Sequence, residues 1–319
     1  MGLIFASMHG LVSQEKASGS SPVAWTPRAL GSSLFLWHDY ANAANTIDKT
    51  STPTYQQFTG IVDKGPNGHN GMGLSYANAN GSSYSAPFSN VNSTMQAMNG
   101  RQAASFRNSQ EIYQSGGTSS VAYYGGTNLI SIAMILTLNS GCKANGRVFS
   151  GKTASGSNEY NTAGTFAIVR GSNYNNGLSV CINFVGNYNV YVPIPAYDTP
   201  FILIMTADGT NINLSVNGGV SKSTSAVSTT FAMNKLSWGY SANASGENWY
   251  GLLGEAFIYQ GLLTADQISK SEGWLASNWS AQSVLPSTHP YKTAAPTAEA
   301  NDNYARRNSG LWVPSRLAA

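Results

Sequence analysis

The chain is short of charge. Asp, Glu, Lys and Arg make up 10% of its 319 residues, against about a quarter in an average globular protein. Its 17 basic and 14 acidic residues leave a net charge of +3. The one adjacent basic pair is Arg306-Arg307. A nucleic-acid-binding face needs a basic stripe interleaved with aromatics, and this sequence has none, so no nucleic-acid partner is expected. Cysteine is nearly absent. Cys142 and Cys181 are the two present, so no disulfide framework holds the fold, and free buried thiols in two separate strands are expected. Neither sits in a Cys-x-x-Cys or near a histidine. The four histidines, His9, His38, His69 and His289, stand apart from one another. That spacing excludes the common zinc motifs, and no cofactor is expected.

Long apolar runs are missing too. Met1 to Val12 is apolar but too short to span a membrane. It also lacks a basic leader and a clear cleavage site, so no secretion signal is expected. Nucleotide fingerprints and the Gly-x-Ser-x-Gly elbow are absent. Acidic residues never cluster in the way a glycosidase needs, with two carboxylates flanking one bond. Glu255 is the only acid in a strong strand, and its nearest acidic neighbours are Glu247 and Asp266. It is read as a structural residue.

In place of charge the chain has Asn, Ser, Thr and Gly, with 17 Tyr and 7 Trp. Apolar residues, at 42%, suffice for a sizeable core. From residue 121 onward, short apolar runs recur between turn signals. They are Leu129–Leu138, Arg147–Ser150, Thr165–Arg170, Leu178–Phe184, Tyr188–Ile194, Phe201–Thr206, Asn211–Val216, Lys235–Tyr240 and Gly251–Tyr259. Ala207-Asp208-Gly209-Thr210 is a hairpin turn. In Asn211–Val216 the apolar residues alternate, so Ile212, Leu214 and Val216 share the buried face. Many short strands at this spacing predict an all-β sandwich or barrel. Earlier, residues 25–120 mix short apolar pieces such as Leu34–Trp37 with long polar loops. One helix is predicted over 264–279. Thr264 and Gln267 form a capping box, and Ile268, Leu275 and Trp279 share one face. It is expected to close one end of the sandwich.

Gly251-x-x-x-Glu255-x-x-x-Tyr259, then Leu263-Thr264, then Trp274-Leu275…Trp279 resembles the last strand and closing helix of concanavalin A-like domains. Such domains recur in bacterial surface proteins and tailed-phage structural proteins. Trp25-Thr-Pro, Leu34–Trp37, Asp63–Gly68, Met98–Phe106 and the exit segment Leu285–Lys292 are similar to the same family. The resemblance implies a lectin- or laminin-G-like jelly roll of two antiparallel sheets over 25–282. An N-terminal arm (1–24) and an extended tail (283–319) flank it.

That fold hosts lectins, glycosidases and inert scaffolds alike, so three functions stay open. The leading expectation is a non-enzymatic virion protein of a tailed phage, a capsid decoration, head-fibre or tail-associated protein on the particle surface. Its arms would dock on other virion proteins and on copies of itself. Leu3, Ile4, Phe5 and Leu11, with Tyr304, Arg306, Arg307 and Trp312, are the candidate contacts. The alternative is a carbohydrate-binding receptor module. Aromatic faces stack on sugar rings and Asn binds hydroxyls, and Tyr240, Asn243, Asn248, Trp249 and Tyr250 form the best such loop. A glycoside hydrolase is the third option. Asp63, Asn67 and Asn70 could offer oxygens to calcium, but turn formation is the expected role.

Overall fold

Every strand pair among the described residues is antiparallel. The structure is a computed structural model. It describes residues 23–41, 46–52, 55–65, 88–89, 97–106, 112–115, 124–142, 144–152, 163–170, 177–182, 190–193, 195–225, 230–239 and 249–298. The larger sheet runs Val220–Ser225, Asn211–Val216, Phe201–Ala207, Ile130–Leu136, Gly251–Tyr259, Ala104–Phe106, Phe88–Ser89, Tyr55–Ile61, Thr46–Thr52. The far edge of Gly251–Tyr259 is shared. Ala104–Phe106 pairs with its first half and Leu34–Asp39 with its second. The smaller sheet runs Val190–Pro193, Gly177–Ile182, Phe166–Arg170, Arg147–Lys152, Lys235–Trp238, Ile112–Ser115. The expected all-β sandwich of two antiparallel sheets with one C-terminal helix is what the chain forms.

Two apolar clusters divide the molecule. The first lies between the sheets. Ile132, Met134, Leu203, Met205 and Ile258 of the larger sheet meet Phe149, Phe166, Ile168, Val180 and Trp238 of the smaller. The Phe149 ring sits 5.0 Å from Phe166 and 4.9 Å from Trp238. The second cluster lies on the opposite face of the larger sheet. There Ala133, Ile135, Ile202, Ile204 and Phe257 meet Leu275, Ala276 and Trp279 of the helix, with Trp25, Leu263 and Leu285. The helix Ala265–Asn278 therefore lies across the outer face of the sheet and does not close an end of the sandwich. The physical reason is in the strands themselves. Ile130–Leu136 and Phe201–Ala207 are buried at every position, which requires cover on both faces. Asn211–Val216, nearer the edge, alternates as expected.

The helix begins as its sequence predicts. Gln267 N–H donates to Thr264 Oγ1 at 3.2 Å, and Thr264 N–H donates to Gln267 Oε1 at 3.0 Å. Its second buried side lies beneath the exit segment. An added Cβ on Gly273 would fall 2.5 Å from Tyr291 Cβ, so only glycine lets the segment cross there. The chain beyond 283 thus starts as packed structure, with Leu285 buried against the second cluster. The flanks then join. Trp25 N–H donates to Pro296 O at 2.9 Å and Ala298 N–H to Val23 O at 2.7 Å. Cys142 lies in the turn after Ile130–Leu136 rather than in a strand, and is buried as a free thiol. Burial pushes its pKa up to about 11.

Candidate functional site

Glu255 carries the one carboxylate that the sequence places in a strong strand, and the structure shows what surrounds it. Gly251–Tyr259 is the central strand of the second cluster, and Glu255 points from it toward the helix, fully buried. Oε1 accepts from Trp37 Nε1 at 2.7 Å and from Trp274 Nε1 at 2.8 Å. Oε2 accepts from Asn278 Nδ2 at 2.6 Å and from Trp279 Nε1 at 3.0 Å. Gly254 makes this possible. Its missing Cβ leaves room for the Trp279 ring, three atoms of which would otherwise sit 2.9 Å away. Arg101 completes the arrangement. Its guanidinium lies 5.5 Å over the Trp279 ring, and Nη1 donates to both Asn278 O and Asn278 Oδ1. The Asn278 amide is thereby turned so that its nitrogen faces Glu255.

Asp39 stands opposite Glu255 on the adjacent strand. Lys64 answers this second buried acid, with Nζ 2.8 Å from Asp39 Oδ2 and 4.3 Å above the Trp37 ring. Burial, and then the Asp39 carboxylate, push the Glu255 pKa up, while bonds from Trp274, Trp279 and Asn278 hold it down. All four partners are donors, so the ionised form satisfies them and a carboxylic O–H would not. This geometry ties a helix to a sheet. It leaves no carboxylate lone pair turned toward a substrate, in keeping with the structural role read for Glu255.

The other singled-out residues divide by location. Asp63 Oδ1 accepts from Trp37 N–H at 2.8 Å and Gly65 N–H at 2.7 Å, a turn-forming role. Asn67 and Asn70 lie outside the described residues, as do His9 and His69 and all eight candidate assembly contacts. His38 is buried between the sheets, where its Nδ1 accepts from Trp238 Nε1 at 3.2 Å. His289 reaches Glu272 at 3.2 Å in a second buried pair under the exit segment. Tyr291 N–H donates to His289 Nδ1, which leaves the Nε2 proton for Glu272. Burial raises the Glu272 pKa to about 7, and burial with Lys292 nearby lowers that of His289.

Of the proposed sugar-binding loop, Tyr240, Asn243 and Asn248 lie outside the described residues. Trp249 is fully buried, its ring 4.9 Å from Phe106, so its face belongs to the core. Tyr250 is half-buried at the rim. The topology brings other residues beside it that no sequence motif marks. Connections that follow Leu136, precede Phe201 and precede Gly251 join the two sheets at this end, with 137–142, 144–146, 195–200, 239 and 249–250 among their described residues. They bond to one another: Asn139 N–H donates to Tyr250 O, and Asp198 N–H to Leu138 O, each at 2.8 Å.

Fold and site define the class: an antiparallel two-sheet β-sandwich with a helix-covered outer face. No protein-family model matches the chain, and no curated protein sequence is similar to it. Solved structures do share the fold. A GH54 α-L-arabinofuranosidase soaked with a cyclic sulfate inhibitor matches with a TM-score of 0.53 and 10% identity, over 78% of this chain and 62% of that one. An arabinofuranosidase complexed with arabinofuranosyl-alpha-1,2-xylobiose matches with a TM-score of 0.50 and 11% identity, over the same 78% and 62%. The chain thus spans less than two thirds of these neighbours. At such identity the likeness is one of fold alone.

Proposed function

We propose that the chain is a non-catalytic carbohydrate-binding β-sandwich module. The observation that carries this reading is the end of the sandwich where connections between the sheets bond to one another, with Tyr250 at the rim. A rim of half-exposed tyrosine, amides and carboxylate fits sugar chemistry, with rings against C–H faces and polar groups on hydroxyls. The saturation of Glu255 by four donors supports binding without cleavage. The neighbour complexed with arabinofuranosyl-alpha-1,2-xylobiose makes that compound the first probe. A glycan array followed by calorimetry on the full chain is expected to give saturable binding at millimolar Kd or tighter, with no reducing sugar released. An array without a saturable ligand sinks the reading.

A second reading is favoured by the paired flanks. Ala24 and Thr297 bridge, so the two ends of the described body lie side by side, as one attachment point would require. That suits a virion component of a tailed phage, docked through its ends on copies of itself or on other particle proteins. Light scattering is expected to find an oligomer for the full chain and a monomer for residues 23–298. A monomeric full chain removes the self-docking part of this reading.

A further inference from the structure

We propose that the converging connections build a subsite for one neutral sugar residue, formed by Asn139, Arg170, Tyr197, Asp198 and Tyr250. The proposal rests on the carbohydrate-binding reading and names its site and ligand class. These residues come from four separate stretches of chain, and the structure ties them into one frame. Asn139 Nδ2 donates to Asp198 Oδ1 at 2.8 Å, and Asn139 Oδ1 accepts from Gly141 N–H at 2.9 Å. Arg170 Nη2 donates to the Tyr197 hydroxyl at 3.1 Å, with the guanidinium 6.0 Å from the Tyr197 ring. Arg170 Nη1 donates to Cys142 O. Gly141 lies against Tyr250 so closely that a Cβ there would be 3.3 Å from the ring. The frame is therefore fixed before any ligand arrives, which lowers the ordering cost of binding.

What the frame leaves over is the chemistry of a sugar site. Tyr197 and Tyr250 are each only partly buried, packed on the core and open toward the rim. Asp198 and Thr199 are exposed beside them. A carboxylate can accept from two neighbouring hydroxyls, and an amide can both accept and donate. The charges decide the ligand class. Asp198 on the rim opposes an acidic sugar, while both terminal nitrogens of Arg170 are already engaged. A neutral residue fits this balance better than a uronate or a sialic acid.

Two substitutions test the subsite against the array ligand of the unmodified chain. Tyr197→Ser removes a ring. Asp198→Gly removes the carboxylate at a backbone position with φ of +55°, where glycine is at ease. Each is expected to weaken binding at least tenfold, with the unfolding midpoint of Asp198→Gly unchanged. Should Tyr197→Ser fail to fold, Asp198→Gly decides alone. Full affinity in the folded variants overturns the subsite and leaves the carbohydrate-binding reading standing. Hits confined to acidic glycans overturn the neutral-sugar assignment. A wild-type chain that binds no glycan removes both.

Discussion

Glu255→Ala is expected to destabilise the protein by about 5 kcal/mol, enough to unfold many domains of ordinary stability. The magnitude follows from what the substitution leaves behind. Three indole N–H groups and one amide lose their acceptor at a buried position. Each abandoned buried donor costs about 1–3 kcal/mol. Some relief comes because Asp39 loses a buried negative neighbour and keeps Lys64. Glu255→Gln is expected to cost nearly as much, about 3–4 kcal/mol, because one oxygen becomes an NH₂ that faces donors. Trp274→Phe removes a single donor from a carboxylate that retains three, and should cost no more than about 2 kcal/mol. Urea denaturation followed by tryptophan fluorescence measures all three, since Trp37, Trp274 and Trp279 report on the node directly. A Glu255→Gln protein within about 1 kcal/mol of wild type would mean the carboxylate is not the tie described. If such a protein had also lost an activity, Glu255 would belong to a working site.

The node shows where sequence reading reaches and where it stops. Glu255 was conspicuous as a lone acid in an apolar strand, and its pattern with Trp274 and Trp279 was visible as a family likeness. What that pattern is for was not visible, because one donor, Trp37, lies 218 residues away. The central strands were readable because their apolar runs are bounded by turn residues such as Asp208-Gly209. Asp208 Oδ1 indeed accepts from the Thr210 and Asn211 N–H groups. Thr46–Thr52 and Val220–Ser225 were not readable. They are polar in sequence and form the two edges of the larger sheet, where little apolar content is needed. The helix was placed correctly in sequence and wrongly in space. Its capping box is local, but the face it covers is set by two strands more than 50 residues distant. The proposed sugar-binding rim was half legible. Tyr250 stood in an aromatic cluster, whereas Asn139, Tyr197 and Asp198 are ordinary residues of two connections and Arg170 ends a strand, and only the topology gathers them. Trp249 misled for the opposite reason, since an aromatic next to a strand start serves the core as readily as the surface.

Acid is expected to weaken the fold through His38. This imidazole lies between the sheets, fully buried, with Tyr40 and Trp238 edge-on beside it. It holds the Trp238 N–H through Nδ1, a bond that requires the unprotonated nitrogen. Burial lowers its pKa from 6.5 to about 3. The unfolded chain therefore takes up a proton in a range where the folded chain does not. The stability that neutral His38 confers is complete above pH 6.5, falls as the pH drops, and levels out near pH 3. At about 1.4 kcal/mol per unit, the full loss is on the order of 5 kcal/mol. Glu272 acts in the opposite sense. With its pKa raised to about 7, its contribution is complete below pH 4.5 and is lost as the pH rises through 7. The two nearly cancel between pH 7 and 4.5, and below that the His38 loss proceeds without this offset. Comparison with His38→Asn isolates the imidazole, because the Asn oxygen can still accept from Trp238 and nothing at that position titrates. Near pH 7 the variant should be less stable by about 2 kcal/mol, for the volume it leaves empty. The gap should close as the pH falls and reverse by about pH 4. Urea midpoints measured at half-unit steps from pH 7.5 to 3.5 give both curves. A gap that stays constant over that range would mean that His38 takes up its proton in the folded state, and that the bond to Trp238 is not what keeps it neutral.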